Sequence, residues 1–206
     1  MQKIMFNDKY GLQRAAIDGT KPMTRRAVPD KWQQPLTEIF EACNYDYSIF
    51  WQHPTVQLIT NEKAPYKVGE VVAIAQSYKD AGYTKEWVVR NIIPNPNAKP
   101  TDPFEKKYPG WTNKMFVKAE FMPNFIKFTD LKVERLQDIS DEDCMKEGIF
   151  DTKSDRIYHY RFPNSQRNYI NPREAFAALI DKVSGSGTWH LNPWVFAYTF
   201  DVLQVK

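Results

Sequence analysis

The chain is poor in the residues that usually mark a metal or redox centre. It holds two cysteines, Cys43 and Cys144, and three histidines, His53, His159 and His190, in 206 residues. None of them falls at the spacing of a zinc site or a redox pair, so no metal and no cofactor is expected, and the thiols read as small buried hydrophobes. No apolar run approaches the roughly 18 residues of a membrane-spanning helix. The opening stretch MQKIMFNDKYG lacks the long apolar segment of a signal peptide. The expectation is a cytoplasmic protein with reduced thiols and no membrane contact. Internal repeats and low-complexity tails are absent. An excess of one charge is also missing: the net charge is only +3. That permits contact with nucleic acid but excludes the dense basic stripe of a DNA-coating protein.

What is present fits a soluble globular chain with one good core, or two very small ones: 42% of residues are hydrophobic and 26% charged. Aromatic residues reach 15% and are spread along the chain, which suits β-structure and stacking surfaces. Charge is unevenly placed. Residues 1–35 carry seven Lys and Arg against three Asp and Glu, whereas residues 134–148 carry six acids against two bases. Two such segments in one fold either neutralise each other or face each other across a cleft.

Local patterning predicts the following elements. NDKYGLQRAAIDG reads as a short helix, with Leu12, Ala15 and Ala16 at helical spacing and Gly19 as a left-handed cap. Pro22 disfavours helix at Lys21, so Met23–Ala27 should be extended, with Thr24 and Arg26 on one face and Met23 and Arg25 on the other. Residues 28–64 read as an irregular insertion with short strands, docked through aromatics such as Trp32, Phe40 and Trp51. Val71–Ala75 is the clearest strand, apolar on both faces. The stretch from Pro94 to Pro109 holds five prolines and reads as a long loop. KMFVKAEFM alternates as a strand. FIKFTDLKVERL alternates with a slip of phase, which predicts a β-bulge near Thr129–Asp130. SDEDCMKEG is a second short helix, capped by Ser140 and stopped by Gly148. NPREAFAALIDKVSG is the best helix, capped by Asn171, with Phe176, Leu179, Ile180 and Val183 as its apolar stripe. NPWVFAYTFDVL closes as a strand. With five or more strands, about three helices and no βαβ rhythm, the expected class is α+β: a small, strongly bent mixed β-barrel with helices packed outside it.

The stretch DGTKPMTRR concentrates chemistry. A threonine hydroxyl is a weak nucleophile until a base takes its proton. Lys21 serves as that base only when neutral, which needs desolvation or nearby positive charge, and Arg25 and Arg26 supply such charge. Arg26 also has the donor fork for a carbonyl, carboxylate or phosphate. A carboxylate is still wanted to orient the amine or carry a proton. Glu147 offers one, at the end of the acidic helix where the dipole disfavours an acid.

Those residues carry a resemblance. Gly19-x-Lys21-x-x-Thr24-x-Arg26 is similar to the signature of ASCH domains, which are PUA-like β-barrels. YKVGEVV, RLQDISDEDCMKEGI and REAFAALIDKVSGSGTWHLNPWVFAYTF resemble later blocks of the larger phage and bacterial members. The resemblance implies a single domain over 1–206 with insertions at about 28–64 and 83–113, and a cleft that receives a modified nucleoside or single-stranded RNA. It further implies amidohydrolase activity on an N4-acylated cytidine or related pyrimidine nucleoside. Lys21, Thr24 and Glu147 are then catalytic, with Arg26, Arg25 and Gly19 at the substrate. Phe121 stands before Met122-Pro123 where phage-type members often carry a histidine.

Two further readings stand beside it. One is a non-catalytic module that binds RNA or a modified nucleotide; the other is a phage accessory protein that uses the barrel as a scaffold for a host partner. The plainest reading of Lys21, Thr24 and Arg26 is a turn that salt-bridges to the acidic helix.

Overall fold

The computed structural model describes residues 1–93, 99, 104–154 and 157–204. The chain opens in strand β1 (Lys3–Ile4), turns through helix α1 (Leu12–Ile17) and enters strand β2 (Met23–Ala27). Helices α2 (Asp30–Ala42), α3 (Tyr47–Phe50) and α4 (Pro54–Leu58) follow, and then strand β3 (Val71–Ile74). Next come helices α5 (Lys85–Asn91) and α6 (Phe104–Lys107) and the long strand β4 (Asn124–Arg135). Helix α7 (Asp141–Lys146), the hairpin β5 (Phe150–Ser154) and β6 (Ile157–Arg161), helices α8 (Pro172–Ser184) and α9 (Thr188–Leu191), and strand β7 (Trp194–Gln204) complete it. The class is α+β, as expected. Five strands form one mixed sheet in the order β1-β3-β4-β7-β2, which begins at β1 and ends at β2. The pairing of β1 with β3 is parallel and that of β2 with β7 antiparallel.

The chain divides into two compact units, one of residues 1–6, 71–126 and 203–206, the other of residues 7–70 and 127–202. In the first, Ala73, Ala75, Tyr78, Val88, Phe104, Trp111, Val117 and Met122 form the core. The Lys3 amine reaches the carbonyls of Met115 and Val117 at 2.7 Å each and ties that loop to β1. In the second, Trp194 stacks on Phe50 at 4.8 Å and meets Phe40 edge-on at 5.3 Å. Phe128, Tyr66 and Tyr198 form a further ring cluster. The predicted aromatic face of β7 is present: Trp194, Phe196, Tyr198 and Phe200 are all buried. Val195 and Ala197 are buried as well, so both faces of that strand are covered. No helix among the described residues is long and apolar enough to cross a membrane.

Three expectations are corrected. Residues 28–64 are helical, without strands. Leu36 and Phe40 are buried one turn apart on α2, and that spacing outweighs Pro35, which removes a single ladder hydrogen bond from the helix. There are accordingly more helices than three. KMFVKAEFM is not a strand: it folds as two short 3₁₀ turns, Lys114–Phe116 and Ala119–Phe121. The Asn113 side chain accepts from the Met115 amide at 2.9 Å. Such a local bond competes with extended backbone, and Met115 and Phe116 are left exposed. At the other end of the expected proline loop, Phe104–Lys107 is one helical turn, whereas Pro94, Pro96, Pro100 and Pro103 lie outside the described residues.

Other expectations hold. α8 is capped by Asn171, which accepts from the Glu174 amide at 2.8 Å. Along β4, Ile126 and Phe128 are buried, Thr129 and Asp130 are both exposed, and Val133 is buried again, so the alternation changes phase there.

Two glycines differ in what a side chain would meet. Both take positive φ, 66° at Gly11 and 75° at Gly19. A Cβ on Gly11 would lie 2.6 Å from the Pro163 Cβ, whereas one on Gly19 would meet nothing within 4 Å. Gly19→Ala is therefore expected to cost about 1 kcal/mol for its left-handed backbone alone. Gly11→Ala should cost about 1–3 kcal/mol more, from the forced shift. Thermal unfolding of the two variants side by side checks the order, at about 2–4 °C per kcal/mol for a chain of this size.

Candidate active site: a buried lysine and glutamate

Two local devices bring the ends of the site together. After α1, Gly19 in the left-handed region turns the chain, and the Lys21 amide returns to the Ala15 carbonyl at 3.0 Å. Pro22 then starts the extended run, its carbonyl accepting from the Phe200 amide at 2.9 Å. At α7, Ser140 accepts from the Asp143 amide at 3.1 Å. Glu147 is the C-cap, and Gly148 at φ 99° makes the turn that ends the helix. A Cβ on Gly148 would lie 3.5 Å from the Lys21 Cβ, so the lysine stem packs directly on that turn.

Lys21 and Glu147 meet in the interior, with side chains 3% and 5% exposed. The Lys21 amine donates to the Met23 carbonyl at 2.8 Å, to the Glu147 carbonyl at 2.9 Å and, closely, to Glu147 Oε2. An ammonium has three protons, and here each has an acceptor. The other carboxylate oxygen, Glu147 Oε1, accepts from Arg25 Nη1 at 3.0 Å. Arg25 in turn donates from Nε and Nη2 to Glu134 Oε1, at 3.0 and 2.6 Å. Its Nη2 also lies 3.3 Å from Asp143 Oδ2. Lys132 lies 2.9 Å from Glu134 Oε2 and 3.5 Å from Asp143 Oδ2, and Lys146 lies 3.5 Å from Asp143 Oδ1 and 2.7 Å from Glu142 Oε1. Four cations and four carboxylates thus compensate one another. The basic and acidic segments neutralise each other, which is the first of the two alternatives their charge left open. This is also how Lys21 meets the acidic helix in the plainest reading.

Proton affinities follow from this geometry. Burial alone would raise the Glu147 carboxyl, but the charges of Lys21 and then Arg25 outweigh it and hold the group below the usual carboxylate range. Burial pulls the Lys21 amine below the ordinary lysine range; Glu147 opposes that shift, and Arg26 and Arg25 add to it. Burial also pushes the Cys144 thiol up to about 12, and with Cys43 it is a buried free cysteine.

Thr24 and Arg26 occupy the other face of β2. Thr24 pairs with Tyr198 and Arg26 with Phe196, and directly paired residues share a face. Arg25 pairs with Ala197 and points to the acidic array. Thr24 is buried, and none of the three Lys21 bonds goes to it. On its face, burial raises the Tyr198 and Tyr66 hydroxyls while the Arg26 charge opposes that shift. The fold therefore joins Lys21, Arg25 and Glu147, and sets Thr24 and Arg26 apart on the opposite face of the same strand. Gly19 shapes the turn, and nothing in the geometry gives it a ligand.

Sequence reasoning overlooked Glu134, Lys132 and the contact of Asp143 with Arg25. The available signal was the acid excess of residues 134–148, which begins at Glu134. Among the described residues no group of three or more His, Cys, Asp or Glu is arranged to hold a metal ion. His53 caps α4, accepting from the Thr55 amide at 3.2 Å.

Comparison with protein families, curated proteins and solved structures finds no match for the chain.

Removing the glutamate charge leaves Lys21 and Arg25 buried without it. Glu147→Gln is expected to destabilise by about 3–5 kcal/mol, the usual cost of breaking a buried pair from one side. The pH dependence has a definite sign. A carboxyl whose folded pKa lies below its unfolded value stabilises fully above the unfolded value, about 4.3 for glutamate, and loses that stabilisation as pH falls through the folded one. Denaturant unfolding between pH 3 and 7 should show a steeper acid limb in the wild type than in Glu147→Gln, with the two converging at low pH.

Proposed function

We propose that the chain is an amidohydrolase of the ASCH-like, PUA-like barrel type that removes the acyl group from an N4-acylated cytidine or related modified pyrimidine nucleoside. The observation that carries this reading is the buried contact between Lys21 and Glu147, residues 126 apart in the chain. It is supported by the direction of the Lys21 shift, since a lysine acts as a base only where burial or like charge makes the neutral amine accessible. The motif around Thr24 supplies the nucleophile three residues on.

The chemistry balances as an acyl transfer through threonine. Lys21 acts from its neutral form, which burial and the charges of Arg26 and Arg25 favour, its proton having gone to solvent. The amine then takes the Thr24 hydroxyl proton as Oγ1 bonds to the amide carbon. The bond from that carbon to N4 breaks, and the nitrogen leaves with a proton from Lys21. Water attacks the Thr24 ester, giving a proton to the amine; the acid departs, and Thr24 regains its hydroxyl proton from Lys21. For this the amine swings from the Met23 carbonyl toward Thr24, and the Glu147 carboxylate orients it.

A second reading, a non-catalytic module for RNA or a modified nucleotide, is favoured by one observation: every Lys21 proton already has an acceptor, and none is Thr24. One experiment separates the two. N4-acetylcytidine is incubated with the protein and its conversion to cytidine followed by ultraviolet absorbance. The expected result is turnover, with kcat lowered at least about a hundredfold in Thr24→Val, which keeps the shape without the hydroxyl, and in Lys21→Met. Circular dichroism verifies that both variants are folded. Absence of turnover in the wild type, together with salt-sensitive binding of single-stranded RNA, would overturn hydrolysis in favour of the binding module.

A further inference from the structure

The second unit holds a fixed cation that the Lys21–Glu147 site does not use. Arg135 ends β4, and its guanidinium lies 4.6 Å from the ring centre of Trp194, which is buried. Its Nη1 donates to the Asn192 carbonyl at 3.0 Å and its Nη2 to the Thr37 hydroxyl at 2.8 Å. Both acceptors are themselves held. The Thr37 hydroxyl donates to the Gln33 carbonyl at 2.9 Å, and the Asn192 side chain accepts from the Gln137 amide at 2.8 Å. The ring and the two acceptors together fix the guanidinium plane. A guanidinium carries five donors; among the described residues two of those of Arg135 have an acceptor, and neither acceptor is a carboxylate. Arg25, by contrast, spends its charge on Glu134, Asp143 and Glu147.

Arg135 stands in the wall of a groove of about 530 Å³, within the size range of small-ligand sites. Asp30, Gln33, Gln34 and Thr37 of α2 form one side, since positions i, i+3, i+4 and i+7 share a helix face. Gln33 fastens that helix to the start of β7. Its side chain donates to the Val28 and Trp194 carbonyls at 2.7 and 3.1 Å and accepts from the Trp194 amide at 2.7 Å. Leu191 and Pro193 give the groove an apolar side, and Leu191 is 76% exposed. Leu191 directly precedes the residue whose carbonyl binds Arg135, so the apolar surface lies at the cation's end. The helical rise sets the length: from Asp30 to Thr37 is about 10 Å. Arg135, bound to Thr37, marks one end, and the exposed Asp30 marks the other.

The charges select the ligand. A fixed guanidinium without an acid is complementary to an anion, and Asp30 in the same groove disfavours a second negative charge, so a carboxylate fits better than a phosphate. A length of about 10 Å is the reach of three extended residues. Gln34 offers such a backbone an exposed side-chain amide on the way. We propose that this groove docks the free C-terminus of an extended peptide whose last residue is apolar. Arg135 holds the terminal carboxylate with the donors that Asn192 and Thr37 leave over, and the last side chain lies against Leu191 and Pro193. The groove is separate from Lys21, Thr24 and Glu147 and does not depend on hydrolysis there.

The test is fluorescence anisotropy of the tetrapeptide Gly-Gly-Gly-Leu, labelled at its N-terminus, as the free acid and as the C-terminal amide. Matching pairs that end in Phe and in Val are measured beside it, with protein up to about 1 mM. The wild type is expected to bind the acids, and the amides at least tenfold more weakly, because the amide removes the charge from the hydrogen bonds to Arg135. Arg135→Gln should weaken binding of the acids at least tenfold and leave the amides unchanged. Leu191→Glu, at an exposed position that tolerates substitution, should weaken the acids about tenfold by setting a like charge beside them. That variant decides the matter if Arg135→Gln does not fold. Arg90→Gln makes the same charge change in the first unit and should have no effect; melting curves verify the fold of each variant. Equal binding of acids and amides, no binding of any of the three acids by the wild type, or equal loss in Arg90→Gln would overturn the proposal. Stronger competition by inorganic phosphate than by acetate would overturn it in favour of a phosphate site. Turnover of N4-acetylcytidine should be unchanged in Leu191→Glu, so a failure of this groove and a failure of the hydrolytic site are read separately.

Discussion

The second unit depends on a cluster of buried charges that cannot be separated. Each ion taken from water costs several kcal/mol even after relaxation, and only close, hydrogen-bonded opposite charge offsets that cost. Arg25 is central: it binds Glu134 on β4, Glu147 at the end of α7 and Asp143 within α7. Lys21, Lys132 and Lys146 complete the neutralisation. Strand β2, strand β4 and helix α7 are thereby held in one arrangement, because any displacement would strand a charge in the interior. The Phe176 ring of α8 lies 6.0 Å from the Arg25 guanidinium and covers it on another side.

The same cluster poses the chemical question at this site. A lysine with three acceptors is well held, and a well-held ammonium is a poor base. Burial and two neighbouring guanidiniums push in the opposite direction and make the neutral amine more accessible. Hydrolysis requires the second tendency to prevail when substrate arrives; a binding role requires only the first. Strand geometry sharpens the issue. Lys21 lies just ahead of β2, its amine on the Arg25 side, while Thr24 faces the aromatic layer of Tyr198. The amine and the hydroxyl meet only if the lysine side chain moves.

Local features were legible in the sequence because local chemistry decides them. Asn171 before Pro172 and Glu174 marks a helix start whatever surrounds it, and Gly19 and Gly148 adopt the positive φ that a chain reversal demands. The errors arose where a periodic pattern was ambiguous without partners. KMFVKAEFM alternates, but alternation stabilises a strand only where a neighbouring strand pairs with it, and the Asn113 turn prevailed. Residues 30–42 carry Pro35 and several glutamines, which obscured the Leu36 and Phe40 stripe that docks α2. The β5–β6 hairpin was not foreseen at all.

Residue order alone determined the α+β class, the main helix caps, the apolar faces of β3 and β7, and the presence of a basic and an acidic segment able to neutralise each other. Only the tertiary structure decided that Lys21 and Glu147 touch, that Glu134 and Lys132 belong with them, and that Thr24 looks the other way. The physical reason is range. Caps and turns are settled by bonds within a few residues, whereas a buried ion pair between positions 126 apart exists only once two distant segments have been desolvated against each other. Which face of β2 each side chain takes is then imposed by its register with β7.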